Sequence, residues 1–186
     1  MPGETVTSTT TIPEGCWLAA QSLYVSNSAI LRINPGATIK FAAATGIQVE
    51  SSGALTAAGT PGKPILLTGQ EAERGFWNGV MFTNSDTSDN RLVHTTVEYA
   101  GAKLLQDAGA REFRAGVSLS SSGFPVRASL TNCTIRESSG YGLNLDATAR
   151  LGDFTDNVLT RNVSGAARTY STSVHGLTAA STYTDN

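Results

Sequence analysis

Basic and aromatic side chains that could hold a sugar are concentrated in three segments of the chain, 69–77, 85–91 and 102–114. An arginine fork matches the carboxylate of a uronate, and an aromatic ring packs against the apolar face of a sugar. The segments predict a ligand-binding groove, with the candidate residues Arg74, Trp77, Lys103, Arg111, Phe113 and Arg114. In the alternative interpretation, Trp77 packs beneath its own loop and the charged side chains are only solvated.

Metal and cofactor chemistry has little support in the residue pattern. The loop 85–90 reads Ser-Asp-Thr-Ser-Asp-Asn, whose oxygens could hold Ca²⁺, but it lacks the ordered acidic spacing of a dedicated calcium loop. The two histidines, His94 and His175, are about three coils apart by the repeat count, which disfavours a joint site. No cofactor and no metal ligand is therefore predicted, with Ca²⁺ kept as the open alternative.

A recurring tetrapeptide defines the elements that must position these segments. Glycine or serine is followed by an apolar residue, any residue and a second apolar residue, with first apolar members Leu23, Ile47, Val80, Val117 and Leu143. Their spacings are 24, 33, 37 and 26 residues. Short alternating strands repeated at this period are typical of a β-solenoid, in which stacked coils bury one shared core. Three short strands with Gly/Pro turns in each coil predict a triangular cross-section.

The predicted fold is thus an all-β parallel β-helix of about six coils, two of them enlarged. Residues 1–22 are predicted to be an N-terminal capping segment and residues 23–186 the β-helix domain. The enlarged coils are neighbours, so their extra segments are expected to lie side by side on a binding face. The stretch 169–186 has the weakest pattern, and an uncapped last coil would favour self-association through its open sheet edges.

A second register accounts for His94 without catalysis. The patterns Leu92-x-His94-x-x-Val97, Leu130-x-Asn132-x-x-Ile135 and Phe154-x-Asp156-x-x-Leu159 superpose. Their polar members fall where a solenoid bends between two strands, a position at which short polar side chains can hydrogen-bond the backbone. His94, Asn132 and Asp156 are therefore interpreted as a stack of turn residues.

Several longer motifs resemble a known family. The stretches Leu-Arg-Ile-Asn-Pro-Gly-Ala-Thr-Ile-Lys-Phe (31–41), Gly-Ala-Leu-Thr-Ala-Ala-Gly-Thr-Pro-Gly-Lys-Pro-Ile-Leu-Leu-Thr-Gly (53–69), Trp-Asn-Gly-Val-Met-Phe (77–82) and Val-Glu-Tyr-Ala-Gly (97–101) are similar to the right-handed parallel β-helix repeat proteins of bacterial surfaces, in the pectate-lyase-like superfamily. The resemblance covers roughly residues 23–165. It implies right-handed coiling, secretion or display on a bacterial cell surface, and possible carbohydrate contact.

The function that follows is a non-catalytic extracellular module, glycan-binding, protein-binding or a structural spacer, within a larger protein. The alternative is a polysaccharide lyase or glycoside hydrolase acting on an acidic polysaccharide in the groove. A lyase would use Lys103 and Arg111 as base and charge stabiliser, while a hydrolase would draw two carboxylates from the four acidic residues Glu71, Glu73, Asp86 and Asp89. Nothing in their spacing requires either role, so no catalytic residue is assigned.

The charge and hydropathy of the chain argue against some classes of binding partner. The 186 residues carry a formal net charge of −2, which argues against nucleic acid as a partner. No apolar run approaches the roughly 18 residues of a membrane span, so no membrane insertion is expected. Cys16 and Cys133 lie about four coils apart in the predicted stack, farther than a disulfide can reach, which predicts two free thiols.

Overall fold

The computed structural model describes residues 4–106, 112–120, 123–170, 177 and 181–186, and this part of the chain is all-β. Most strands belong to three parallel sheets. Sheet A contains β1 (Glu4–Val6), β4 (Leu23–Val25), β7 (Gly46–Glu50), β10 (Gly79–Thr83), β15 (Ala115–Ser120), β18 (Tyr141–Leu145) and β21 (Gly165–Thr169). Sheet B contains β2 (Thr10–Ile12), β5 (Ile30–Ile33), β8 (Ala54–Ala58), β11 (Arg91–Val93), β16 (Val126–Thr131) and β19 (Ala149–Thr155).

Sheet C completes the triangle. It contains β3 (Gly15–Ala19), β6 (Ala37–Phe41), β9 (Ile65–Gly69), β12 (Thr95–Glu98), β17 (Thr134–Arg136), β20 (Val158–Thr160) and β22 (Thr182–Thr184). A short antiparallel pair, β13 (Leu105–Gln106) and β14 (Glu112–Phe113), lies apart from the three sheets. Each coil visits sheets A, B and C in turn. Six coils contribute a strand to all three sheets, and a seventh contributes β21 and β22, so the predicted parallel β-helix is confirmed.

The apolar ladder predicted from the tetrapeptides forms the core beneath sheet A. Leu23, Ile47, Val80, Val117 and Leu143 pair in register from coil to coil, and so do the second apolar members of each tetrapeptide. From Ile47 onward these side chains are almost completely buried, whereas Leu23 is half-buried. Because side chains alternate along a strand, the residue between the two apolar members of each tetrapeptide points outward.

The segment predicted as a cap supplies the first coil. Strands β1, β2 and β3 pair in parallel with β4, β5 and β6 of the next coil. Trp17 lies opposite the inward-facing Ile39, but its side chain remains 44% exposed and donates a hydrogen bond to the Pro13 carbonyl. Residues 4–19 thus have the strand arrangement of the later coils.

The corner between sheets B and C, the B–C corner, is a turn of one or two residues in three successive coils, and each turn has one left-handed residue. His94, Asn132 and Asp156 there have φ values of 43°, 55° and 55°, in the left-handed region that short polar residues tolerate better than most. The His94 amide donates to the Thr131 carbonyl and the Asn132 amide to the Thr155 carbonyl. The predicted stack of turn residues is confirmed, and it gives His94 a structural role.

Buried polar side chains follow these turns. Asn157 is 1% exposed; its Oδ1 accepts a hydrogen bond from the Cys133 amide and its Nδ2 donates to the Leu130 carbonyl. Cys133 occupies the same place one coil earlier, where burial raises the pKa of its thiol to about 11. Cys16 and Cys133 are both free, as predicted.

The corner between sheets C and A, the C–A corner, also uses left-handed residues. Tyr99, Glu137, Arg161 and Asp185 have φ values between 53° and 60°. Inside this corner Asn162 accepts a hydrogen bond from the Ser138 amide, while its own amide donates to Asn186. This second stack was not predicted from the sequence.

Candidate functional site

The two largest insertions leave the β-helix at the same corner. Residues 70–78 connect β9 to β10 and residues 99–114 connect β12 to β15, so both lie at the C–A corner in neighbouring coils. The third segment, 85–91, instead joins sheet A to sheet B. Two of the three predicted segments therefore lie on one side of the molecule. The acidic residues proposed for hydrolysis are divided between corners, with Glu71 and Glu73 at one and Asp86 and Asp89 at the other.

Trp77 does not line a groove. Its side chain is 0% exposed, stacks on Phe41 with ring centroids 4.2 Å apart, and donates a hydrogen bond from Nε1 to the Glu98 carbonyl at 2.7 Å. The ring fills the core where the enlarged coil re-enters sheet A. The expectation that this tryptophan offers a platform to a sugar is corrected, because the large apolar ring is more stable inside the corner than in solvent.

Arg74 is engaged in an ion-pair network along the C–A corner. Its Nε and Nη2 donate to Oε2 of Glu137 at 2.8 and 2.6 Å, and Arg161 from a later coil donates to the other carboxylate oxygen. Burial raises the pKa of Glu137, but the hydrogen bonds and charges of Arg161 and Arg74 outweigh it and hold that pKa below its ordinary value. The network ties three coils together at their edge.

Two other candidates support the second insertion rather than facing a groove. Arg114 donates from Nη1 to the carbonyls of Gly101 and Ala102, which fixes the base of the insertion. Phe113 is 9% exposed and lies under the guanidinium of Arg168, 4.2 Å from its ring centroid. Arg111 lies outside the described residues.

The insertion stands beside the outer face of sheet A, which carries a row of mainly polar side chains. The outward residues Gln48, Met81, Ser118, Asn144 and Arg168 occupy one register position in successive strands. At the far end Arg168 donates to Asn144 Oδ1 at 3.0 Å, and Asn144 donates to Ser118 Oγ at 3.0 Å. This half of the row satisfies its own hydrogen bonds.

The near end of the same row forms a cavity of about 330 Å³. Its principal side chains are Tyr24 and Gln48 from sheet A, Asn78 and Met81 around the start of β10, and Lys103 from the insertion. Lys103 Nζ lies 3.4 Å from Gln48 Oε1, and Gln48 in turn donates to Glu50. Of the predicted site residues that the structure describes, Lys103 alone lines this cavity.

Glycine leaves the floor of the cavity open. Gly46 and Gly79 begin adjacent strands there, and a Cβ on Gly79, whose φ is 97°, would lie 2.2 Å from the Gly116 carbonyl oxygen. The same packing that requires glycine removes side chains from the floor, so a ligand can approach the backbone. The outward tetrapeptide residues Tyr24, Gln48 and Met81 were missed as candidates, although their place between two inward residues marks them as outward.

The chemistry available in this cavity is hydrogen bonding and ring contact. It offers a phenol, two amides and an ammonium group, and the described residues lining it include no Asp, Glu or His. No group of three or more His, Cys, Asp or Glu within the described ranges could hold a metal ion. In the loop 85–90, for which Ca²⁺ was the open alternative, Ser85 Oγ donates to the Gly53 carbonyl, and Asn90 Nδ2 donates to Ser85 while its Oδ1 accepts from the Leu55 amide.

Comparison of the chain with protein-family models, curated proteins and solved structures finds no match. The class that the fold defines is a three-sheet parallel β-helix with two enlarged coils. Within the described part of the chain, no helix has the length and apolarity needed to cross a membrane.

Proposed function

We propose that this chain is a non-catalytic glycan-binding module of a larger secreted or bacterial cell-surface protein, and that it holds the glycan in the cavity on sheet A. The observation that carries the proposal is the convergence of Tyr24, Gln48 and Lys103 on one cavity beside the insertion. Its volume of about 330 Å³ falls in the range of small-molecule sites. An exposed insertion on a rigid scaffold is also where binding residues are commonly found.

The lining suits a sugar for simple chemical reasons. A tyrosine ring can pack against the C–H face of a sugar, while its hydroxyl stays available to water or ligand. Amide groups both donate and accept hydrogen bonds, which matches sugar hydroxyls, and the Lys103 ammonium donates to hydroxyl or carboxylate oxygens. These groups belong to three different coils, so the β-helix holds them in place before the ligand arrives.

The lining favours binding over hydrolysis. A glycosidase needs two carboxyl groups on opposite sides of the scissile bond, and the described residues that line the cavity supply none. Lys103 is the residue through which a lyase would act, since it could take the proton next to a uronate carboxylate. The proposal is therefore tested with a lyase assay in parallel.

The experiment is a glycan-array screen of the wild-type chain and of Tyr24→Ala, with Phe124→Ala as the matched control. Phe124 is an aromatic residue that is 64% exposed and lies before β16, away from the cavity. We expect defined glycans to bind the wild type and the Phe124 variant but not the Tyr24 variant. Absorbance of an unsaturated product from any acidic ligand would instead support a lyase. Signals equal in all three proteins would contradict the sheet A site.

A further inference from the structure

The arginines of the described chain divide into two groups by their partners. Five of the nine have polar or ionic partners: Arg74, Arg136 and Arg161 bind glutamates, Arg114 binds backbone carbonyls and Arg168 binds Asn144. The other four, Arg32, Arg91, Arg127 and Arg150, form no hydrogen bond or ion pair with the described residues. All four belong to sheet B, on strands β5, β11, β16 and β19.

These four side chains share the outer face of sheet B. Each lies next to residues that are buried in the core, such as Leu92 beside Arg91 and Val126 beside Arg127, so alternation points the arginines outward. Arg91, Arg127 and Arg150 are exposed, and Arg32 is half-buried. The set is named the arginine strip below.

The spacing of the strip follows from strand register. Arg127 and Arg150 are direct partners on β16 and β19, which places their Cα atoms about 5 Å apart. Arg91 pairs with Ser129, two residues from Arg127, so its offset from Arg127 is about 8 Å. From β5 to β19 the strip spans four strand spacings, or about 20 Å along the solenoid axis.

Such a strip is unfavourable by itself. Like charges directly opposite on neighbouring strands destabilise a sheet, and the Arg127–Arg150 pair is of that kind. The nearby carboxylates, Asp89 and Asp153, form no ion pair with the strip in the described structure. In a chain with a formal net charge of −2, four unpaired guanidinium groups are thus collected on one face. An anion with repeating charges would relieve this repulsion and satisfy the unused donors.

We propose that the outer face of sheet B binds a linear acidic polysaccharide, laid along the solenoid axis over the arginine strip. Each guanidinium can donate two parallel hydrogen bonds to one carboxylate or sulfate, so a chain with an anion on successive sugars can engage several arginines. The only aromatic residue in the six strands of sheet B is Phe154, which is 2% exposed. The strands of this face therefore carry no exposed aromatic ring on which the bases of single-stranded nucleic acid could stack. This surface is separate from the sheet A cavity and does not depend on it.

The test measures binding of the full chain to polygalacturonate, heparin, neutral dextran and single-stranded DNA at low ionic strength. Polygalacturonate carries carboxylates and heparin carries sulfates in addition, so these two arms distinguish the sources of the anion. We expect affinity for at least one of them and none for dextran. Arg127→Gln with Arg150→Gln should weaken that affinity roughly tenfold or more, since each charged hydrogen bond contributes strongly.

The matched control is Lys40→Gln with Lys63→Gln, which removes the same charge from other surfaces and should change the affinity less than about twofold. Arg127→Lys with Arg150→Lys keeps the charge but removes the fork, and we expect an intermediate loss. Circular dichroism checks that each variant is folded. If Arg127→Gln with Arg150→Gln does not fold, Arg127→Lys with Arg150→Lys provides the test instead. The proposal is overturned if neither acidic polymer binds, if the control loses as much affinity as the glutamine pair, or if DNA binds as tightly as the polysaccharides. Loss of binding at the strip is measured by the difference between the glutamine pair and its control, whereas the sheet A cavity is tested with its own variants, so the two sites can fail separately.

Discussion

The B–C corner and the C–A corner close the same triangle but are built differently. At the B–C corner each of three coils turns on one left-handed residue, and buried polar side chains such as Asn157 bond the backbone of the preceding coil. At the C–A corner two coils leave the sheet for long insertions, and the corner is then closed by Trp77 and bordered by the Glu137 ion pairs. The contrast teaches that one corner maintains the coil repeat, whereas the other accommodates additional chain beside the sheet A cavity.

The largest effect is expected where the C–A corner is closed. Trp77→Ala should lower the free energy of unfolding by about 3–5 kcal/mol, since it removes a fully buried ring and leaves the Glu98 carbonyl without its donor. Urea denaturation measures the loss. Trp17→Ala is the control, because that ring is 44% exposed, and its effect should be clearly smaller. Equal losses would mean that Trp77 does not close the corner.

The next effect concerns the buried amide of the B–C corner. Asn157→Ala should cost about 2–4 kcal/mol, because the Cys133 amide and the Leu130 carbonyl would both stay buried without a partner. Asn78→Ala removes one hydrogen bond to the Ala44 carbonyl at the exposed edge of the C–A corner, where water can replace it. Thermal unfolding of the two variants compares the corners directly. A larger loss of stability for Asn78→Ala than for Asn157→Ala would contradict the greater structural role given to the B–C corner.

A smaller effect distinguishes the backbone role of His94 from a chemical one. Because its φ is 43°, His94→Gly should leave stability nearly unchanged, whereas His94→Val should cost about 1–2 kcal/mol through strain at the left-handed turn. Melting temperatures provide the measurement. Loss of glycan binding in a stable glycine variant is the result that this interpretation forbids.

The smallest effect is the acid sensitivity of the C–A corner. The pKa of Glu137 is lowered in the folded state, so its contribution to stability is complete above the ordinary value of 4.5 and is lost as the pH falls through the folded value. The melting-temperature gap between wild type and Glu137→Gln should be present near about pH 7 and shrink as the pH falls below 4.5. The gap should be modest, since the two arginine side chains are 46% and 47% exposed. A melting-temperature gap that widens in acid would contradict the lowered pKa of Glu137.

The repeated features were predictable from sequence because they are local. The alternation within each tetrapeptide predicts which of its residues point inward and which point outward. A polar residue three positions before an apolar one predicts the bend between two strands, as at Asn132 and Ile135. The register of the core and the turn stack followed from these signals alone. The burial of Trp77 could not be predicted from its position in the sequence, because an aromatic residue at the end of an insertion can either face solvent or pack into the core.

The candidate site was less accessible for a similar reason. Lys103 and Gln48 are 55 residues apart, and they meet only because the insertion of one coil folds back over the sheet A strand of an earlier coil. The neighbours of an insertion depend on the corner at which it leaves the β-helix. The spacing of the tetrapeptides in sheet A gives only the length of each coil, so it does not identify that corner. Enlarged coils could therefore be counted, but the cavity that they border could not be placed.

Glycan binding of Lys103→Ala against Lys40→Ala tests most directly the proposal that the cavity beside the C–A corner binds a glycan. Both substitutions remove one exposed lysine, but Lys103 lines the sheet A cavity while Lys40 projects from sheet C. On the same glycan array used for the wild type, the account predicts that Lys103→Ala loses the wild-type signals and that Lys40→Ala keeps them. Retention of every signal by Lys103→Ala, or equal loss in both variants, would contradict it.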